Sequence, residues 1–283
     1  MTWNERLGAL GVWRSNDDMD VDLAQQVERA GYGTVWLGGS PGADLRRAEE
    51  LLDSTESIVV ATGIVNIWKA DAAALADSYH RITDRHSGRL LLGIGSGHRE
   101  ATPHRARPLT AMAEYLDVLD ERGVPVHDRV LSALGPRMLA LAAERSAGTH
   151  PYLTVPSQTA EARDALGAGP LVAPEQTVVW DTDAASARRT ARAFLRRYLG
   201  LENYTRTMQR GGFSAADVAD GGSDALVDAI VVHGDADALA RAVRAHLEAG
   251  ADHVCVQVQP VADPLPALQA LANAFGLGAE GSA

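Results

Sequence analysis

The run Gly88-Arg89-Leu90-Leu91-Leu92-Gly93-Ile94-Gly95 decides the architecture. Its centre, Leu90–Ile94, is apolar at consecutive positions and does not alternate with polar residues. That is the pattern of a strand buried on both faces, as in a parallel sheet. A helix-like stretch, Asp71–Asp84, precedes it and another, about Leu109–Arg122, follows it. Toward the N-terminus the same alternation continues. A β-branched strand is predicted over Ser57–Thr62,. A helix over Asp44–Asp53, a strand over Thr34–Leu37, a helix over Met19–Ala30 stopped by Gly31, and a first strand over Leu7–Trp13 complete that side,. Toward the C-terminus the predicted strands are a weak one near Arg129–Ala133, then Pro151–Val155, Thr177–Trp180 and His253–Val258. Helices are predicted over Pro136–Ala147, Gln158–Leu166, Ala184 to about Leu199, and Pro264–Phe275.

Eight strands, each followed by a helix, predict an α/β fold: a single (β/α)8 TIM barrel over residues 1–283,. An open doubly wound sheet is the competing arrangement. Such a barrel typically takes about 250 residues, so one domain accounts for the chain. The stretch Gly200–Gly234 breaks the rhythm with Gly211-Gly212 and Gly221-Gly222. It is expected as a helical insertion between the seventh and eighth strands, hanging over the active face.

Composition narrows the function classes. The net charge of -11 disfavours nucleic acid and anionic membrane surfaces as partners,. Cys255 is the one cysteine, so neither an internal disulfide nor a Cys-rich metal site is expected, and its place in Val254-Cys255-Val256 predicts an inert strand residue,. No apolar segment reaches the roughly 20 residues that span a bilayer, and the N-terminus lacks a signal-peptide core. A cytoplasmic protein is expected.

In a barrel of this kind, chemistry sits just after the strands. After the second strand, Gly38-Gly39-Ser40-Pro41-Gly42 either lets backbone approach a flat ligand or makes a plain turn,. After the third, Gly63-Ile64-Val65-Asn66 suggests a bulge facing a ligand, with Asn66 able to donate and accept; a buried loop is the alternative,. After the fourth, Gly93-Ile94-Gly95-Ser96-Gly97-His98 leaves room for a ring against the backbone, and His98 is suited to proton transfer near neutral pH,. After the fifth, Gly135-Pro136-Arg137-Met138 opens a helix whose free N–H groups and Arg137 suit an anion,. Thr154 and Ser157 follow the sixth strand and offer hydroxyls to the same anion, Ser157 serving equally as a helix N-cap,. Glu175 and Gln176 are read as preceding the seventh strand, away from the active face. No Ser-His-Asp order and no metal-binding spacing stands out.

Taken together, Gly31-Tyr32-Gly33-Thr34-Val35-Trp36-Leu37, Ala61-Thr62-Gly63-Ile64, Gly88–Gly95, Gly135-Pro136-Arg137-Met138-Leu139, Ala147-Gly148-Thr149-His150-Pro151-Tyr152 and Ala249-Gly250-Ala251-Asp252-His253-Val254 resemble the bacterial luciferase-like superfamily. The likeness is greatest to its branch of coenzyme F420-dependent oxidoreductases. It runs in order over nearly the whole chain. It implies a deazaflavin or flavin ring at the strand ends, supported by the bulge at Ile64–Asn66, with its phosphate end near Gly135, Arg137, Met138 and Thr154. The implied ring site comprises Gly39, Ser40, Val65, Asn66, Gly95 and Ser96.

The implied reaction is hydride transfer between coenzyme F420 and a small organic substrate. The alternatives are an FMN-dependent two-component monooxygenase and a non-catalytic flavin- or deazaflavin-binding protein. The family's sugar-phosphate and alcohol dehydrogenases carry an acid and a histidine after the second strand, where this chain has Gly39 and Ser40. His98 is therefore the expected proton-transfer group. A homodimer is expected by the same resemblance.

Overall fold

The computed structural model describes residues 2–97 and 107–278. Within them the strands are β1 (Leu10–Ser15), β2 (Thr34–Gly38), β3 (Val59–Thr62), β4 (Val65–Asn66), β5 (Leu90–Gly95), β6 (Arg129–Leu131), β7 (Gly148–Thr149), β8 (Leu171–Val172), β9 (Glu175–Val179), β10 (Val231–His233) and β11 (Val254–Gln259). The helices are α1 (Trp3–Leu7), α2 (Val21–Arg29), α3 (Arg46–Ser54), α4 (Ala72–Thr83), α5 (Pro108–Glu121), α6 (Pro136–Arg145), α7 (Pro156–Leu166), α8 (Ala184–Leu195), α9 (Glu202–Arg210), α10 (Asp224–Ile230), α11 (Ala236–Glu248) and α12 (Leu265–Phe275).

All strand pairs are parallel, in the order β10-β9-β11-β1-β2-β3-β5-β6-β7-β8. Residues 171–179, which hold β8 and β9, close this path into a barrel. On one flank Leu171, Ala173 and Glu175 donate to the carbonyls of Ala147, Thr149 and Pro151 at 2.7, 2.9 and 2.9 Å. On the other, Val172 and Pro174 accept from Asp252 and Cys255 at 2.9 and 3.0 Å. The fold is thus the expected (β/α)8 barrel.

Each strand separates two cores because successive side chains point to opposite faces. On β5, Leu90, Leu92 and Ile94 pack among the helices. Leu91 joins the interior with Val59, Ala61, Trp36 and Cys255. The inward positions Gly93 and Gly95 hold no side chain because the neighbouring chain is too close. A β-carbon on Gly93 would lie 1.8 Å from the Thr62 carbonyl oxygen, and one on Gly95 2.7 Å from Ile64 Cδ1.

Among the sequence boundaries that move, three bear on the barrel interior and its mouth. The first strand starts at Leu10, after α1. The sixth is Gly148–Thr149, not Pro151–Val155; the chain leaves the sheet where Leu153 takes a left-handed φ of 55°. The seventh begins at Leu171, so Glu175 and Gln176 lie within it and both are buried. The insertion carries α9 and α10 as expected, and also β10, which pairs with β9 over Thr177–Val179. Val231 and Val232 were hidden by the Gly-rich context around them. Cys255 is buried, as expected. Among the described residues no helix is long and apolar enough to cross a membrane, and no cluster suits a metal ion.

The close approach of β3 and β5 makes Gly93→Ala an overpacking change. It should lower unfolding free energy by roughly 1–3 kcal/mol. Urea unfolding checks this: the midpoint falls with an unchanged slope, whereas an unchanged midpoint contradicts the contact.

Candidate active site at the carboxyl ends of the strands

The barrel interior is unusually polar and ordered by hydrogen bonds. The Trp36 indole stacks on His150 with centroids 4.1 Å apart and an interplanar angle of 17°. Its Nε1–H donates to His253 Nε2 at 3.0 Å. An acceptor at Nε2 leaves the proton of neutral His253 on Nδ1, where it donates to the Gly8 carbonyl at 2.7 Å,. His150 likewise donates from Nδ1 to the Ala173 carbonyl at 2.8 Å. Burial pushes both rings down to about 4, so both are neutral at pH 7,.

Above this layer Trp13 covers the interior. Its ring fills the space over Gly38, where a β-carbon would lie 1.9 Å from Cζ2, and its Nε1 is 2.7 Å from a β-carbon built on Gly63. His150 Nε2 approaches the same point at 3.1 Å. Neither nitrogen has a hydrogen-bond partner among the described residues. Two glycines at the ends of adjacent strands thus admit one large aromatic floor.

The bulge after β3 is present. The Gly63–Ile64 peptide is cis, Ile64 packs against Gly95, and β4 pairs Val65 with Ile94 and Asn66 with Gly95. Asn66 is buried; its Oδ1 accepts from Trp68 N at 3.0 Å, and Trp68 Nε1 donates to the Ser96 carbonyl at 2.7 Å. Asn66 and Ser96 therefore lock the bulge to the end of β5. The Val65 side chain belongs to the helix-side core. Gly39 and Ser40 both take positive φ, at 77° and 63°.

Farther round the rim, Gly135 is the N-cap of α6, with Pro136 in its first turn and no acidic residue there. Arg137 is exposed, and Met138 packs partly against the helix-side core. Thr154 is buried and its hydroxyl has no partner among the described residues. The N-cap of α7 is Val155, not Ser157, because Pro156 takes the first helical position and leaves Ser157 exposed in the first turn. The rim candidates Gly39, Ser40, Val65, Asn66, Gly95, Ser96, Gly135, Arg137, Met138 and Thr154 follow β2, β3, β5, β6 and β7, which are consecutive in the sheet. They form one arc. His98 lies outside the described residues.

The opposite side of the mouth carries a cluster that sequence reading missed. Tyr152 donates to Gln257 Oε1 at 2.8 Å and pairs with the Tyr198 hydroxyl at 2.9 Å. Trp13 lies 5.3 Å from the Tyr152 ring, and Tyr204 of α9 packs on Tyr198 at 5.1 Å. Beneath them Glu175 accepts from Thr177 Oγ1 and, at 3.3 Å, from Leu153 N. Burial outweighs these bonds and pushes Glu175 up to about 8, so it is mostly protonated at neutral pH. The available signal was a lone carboxylate between the apolar pairs Leu171-Val172 and Val178-Val179.

Known proteins share this fold. Residues 18–122 match the family model of the luciferase-like monooxygenases. An F420-dependent secondary alcohol dehydrogenase solved with an F420-acetone adduct superposes with a TM-score of 0.74 at 14% identity, covering 95% of this chain and 98% of that one. The coenzyme F420-dependent tetrahydromethanopterin reductase of Methanopyrus kandleri gives 0.68 at 18% identity, covering 93% and 97%. The oxygenating constituent of 3,6-diketocamphane monooxygenase from Pseudomonas putida, solved with FMN, gives 0.69 at 16% identity, covering 96% and 98%. No curated protein matches the sequence. The chain is therefore luciferase-like in fold along nearly all its length and in sequence over residues 18–122.

The buried titratable groups set a pH profile for stability. His246 is also pushed down to about 4 by burial, between Thr159 and Gln176. Between about pH 4 and 6.5 the unfolded chain binds more protons at His150, His246 and His253 than the folded one, so stability rises with pH,. Glu175 acts oppositely: from its ordinary 4.5 up to about 8 the folded state holds the extra proton, and stability falls as pH rises,. Three histidines outweigh one carboxyl below pH 6.5, and Glu175 acts alone above it. Urea midpoints should therefore peak near neutrality, and Glu175→Gln should flatten the decline between about pH 6.5 and 8. A decline that persists unchanged in this variant assigns it to another group.

Proposed function

We propose that the protein is an oxidoreductase that transfers a hydride between coenzyme F420 and a small organic substrate. The observation that carries this reading is the opening of α6. Gly135, Pro136 and Arg137 start a helix with no acidic residue in its first turn, on the same rim as the buried Thr154 hydroxyl that lacks a partner. A helix N-terminus with an arginine suits a phosphate. The glycine-lined arc from Gly39 to Gly95 suits a flat ring beside it. These residues fit a phosphate-bearing deazaflavin or flavin. Proteins of the same fold were solved with an F420 adduct and with FMN, so F420 stands first on the sequence resemblance and FMN second.

Such a ring, when bound, supplies the hydride chemistry. The protein's part is to bind, orient and shield. Arg137 and the α6 N-terminus hold the anionic end. Gly39, Ser40, Val65, Asn66, Gly95 and Ser96 present backbone and small groups to the ring. Trp13 over Gly38 and Gly63 keeps water out of the barrel beneath it. Gly39 and Ser40 offer no useful acid or base, so His98 is the proposed proton-transfer group. The protein is proposed to work as a cytoplasmic homodimer.

Titrating the purified protein with oxidised F420 and with FMN tests the reading. F420 should bind more tightly; tighter FMN binding favours the monooxygenase, and binding of neither overturns the assignment. Arg137→Ala removes a charge-assisted hydrogen bond worth roughly 1.5–3 kcal/mol, so affinity should drop about tenfold to a hundredfold. Unchanged affinity removes Arg137 from the site. His98→Ala should slow single-turnover hydride transfer by about 10²–10⁴ while cofactor affinity stays within about threefold.

A further inference from the structure

The helical insertion reaches back to the proposed phosphate end and adds a second cation. Arg210 is the last residue of α9. Its Nη2 donates to the Leu134 carbonyl at 2.5 Å and to Thr207 Oγ1 at 3.1 Å. Its Nη1 lies 3.4 Å from the position of a β-carbon on Gly135, which is contact distance from the N-cap of α6. The register of α9 is held by its neighbours. Thr207 O accepts from Gln158 Nε2 at 2.8 Å, Gly211 packs on the same Gln158 amide, and Gln158 Oε1 accepts from Val155 N at 3.2 Å. Arg210, Gly135 and the residues following β7 therefore meet in one loop cluster.

This placement reverses ordinary helix electrostatics. The N-terminus of a helix carries partial positive charge and is stabilised by anions. Here Arg137 stands in the first turn and Arg210 stands over the cap, and the first turn holds no acid. Neither arginine meets a carboxylate among the described residues. Thr154 immediately precedes Val155, whose N–H donates to the same Gln158 amide that holds Thr207 of α9. Thr154 is 4% exposed, and its hydroxyl is buried with no partner among the described residues. Two cations, a positive helix end and an idle buried hydroxyl all call for one anion.

We infer that Arg210 is a phosphate-binding residue, clamping the phosphate of the ring cofactor between the insertion and the barrel. The insertion is then part of the site and is held down by the ligand. This rests on the cofactor reading above but is tested apart from it. Inorganic phosphate, at ionic strength matched with chloride, should raise the thermal unfolding midpoint of the wild-type protein. It should also weaken F420 or FMN binding competitively. In Arg210→Ala the apparent phosphate affinity should fall about tenfold, and Arg210→Lys should recover part of it. FMN affinity should fall with it, while riboflavin, which lacks the phosphate, should bind both proteins alike.

Equal phosphate stabilisation of wild type and Arg210→Ala overturns the inference. So does an equal loss of FMN and riboflavin, which means Arg210 acts through the fold or the ring. Absence of any phosphate effect on the wild type overturns it as well. Arg210-dependent phosphate binding in a protein that binds neither F420 nor FMN upholds the anion site and overturns the hydride-transfer reading.

Discussion

The closure made by residues 171–179 is the constraint on which the rest of the structure depends. This segment is hydrogen-bonded to residues 147–151 on one side and to 252–259 on the other. Without it the sheet would expose two edges and the interior row would face water. With it, the carboxyl ends of all the strands form a ring, and residues far apart in sequence stand around one mouth. The same closure compresses the interior. Gly11, Gly38, Gly63, Gly93 and Gly95 lie where a side chain would collide with Trp13, His253, Ile64 or a neighbouring backbone. The space they surrender is filled chiefly by Trp13, His253 and Ile64.

A narrow interior that encloses histidines and a carboxyl must satisfy or neutralise them, because an isolated buried charge is costly. The chain does both. His150 and His253 remain neutral and donate to the Ala173 and Gly8 carbonyls. Glu175 retains its proton up to about pH 8 and accepts from Thr177 and Leu153. Arg129, fully buried at the start of β6, is compensated by Asp120 and the Leu116 carbonyl. Of the buried polar atoms without partners among the described residues, Trp13 Nε1, His150 Nε2 and Thr154 Oγ1 belong to the upper half of the barrel or its rim; the others are Arg47 Nε, Tyr115 OH, Arg129 Nε and Asn203 Oδ1.

The rim divides by chemistry. The arc following β2 to β7 is small-residue backbone ending in a cationic helix start. The side following β7, β9 and β11 is aromatic and hydroxyl-bearing, with Tyr152, Tyr198, Tyr204 and Gln257. The insertion serves both sides: Tyr204 of α9 joins the aromatic cluster and Arg210 reaches the helix start. In a chain of net charge -11, cations at that helix start are a local exception.

Unbroken apolar runs such as Leu90-Leu91-Leu92, alternating with amphipathic stretches, determined a parallel α/β barrel, because burial on both strand faces leaves that pattern in any local window. Gly135-Pro136-Arg137 was likewise legible, since helix starts are written in adjacent residues. The short β7 and the onset of β8 were not. Pro151 and Tyr152 read as strand, yet the chain bends out at Leu153, and Leu171-Val172 is too brief to signal alone. The tertiary structure alone decided that Glu175 lies inside the barrel, that Trp13 rests on Gly38 and Gly63, and that Arg210 touches Gly135. Each contact joins segments separated by tens of residues or more, brought together by closure of the sheet, and no local periodicity records which distant side chain fills the space a glycine leaves.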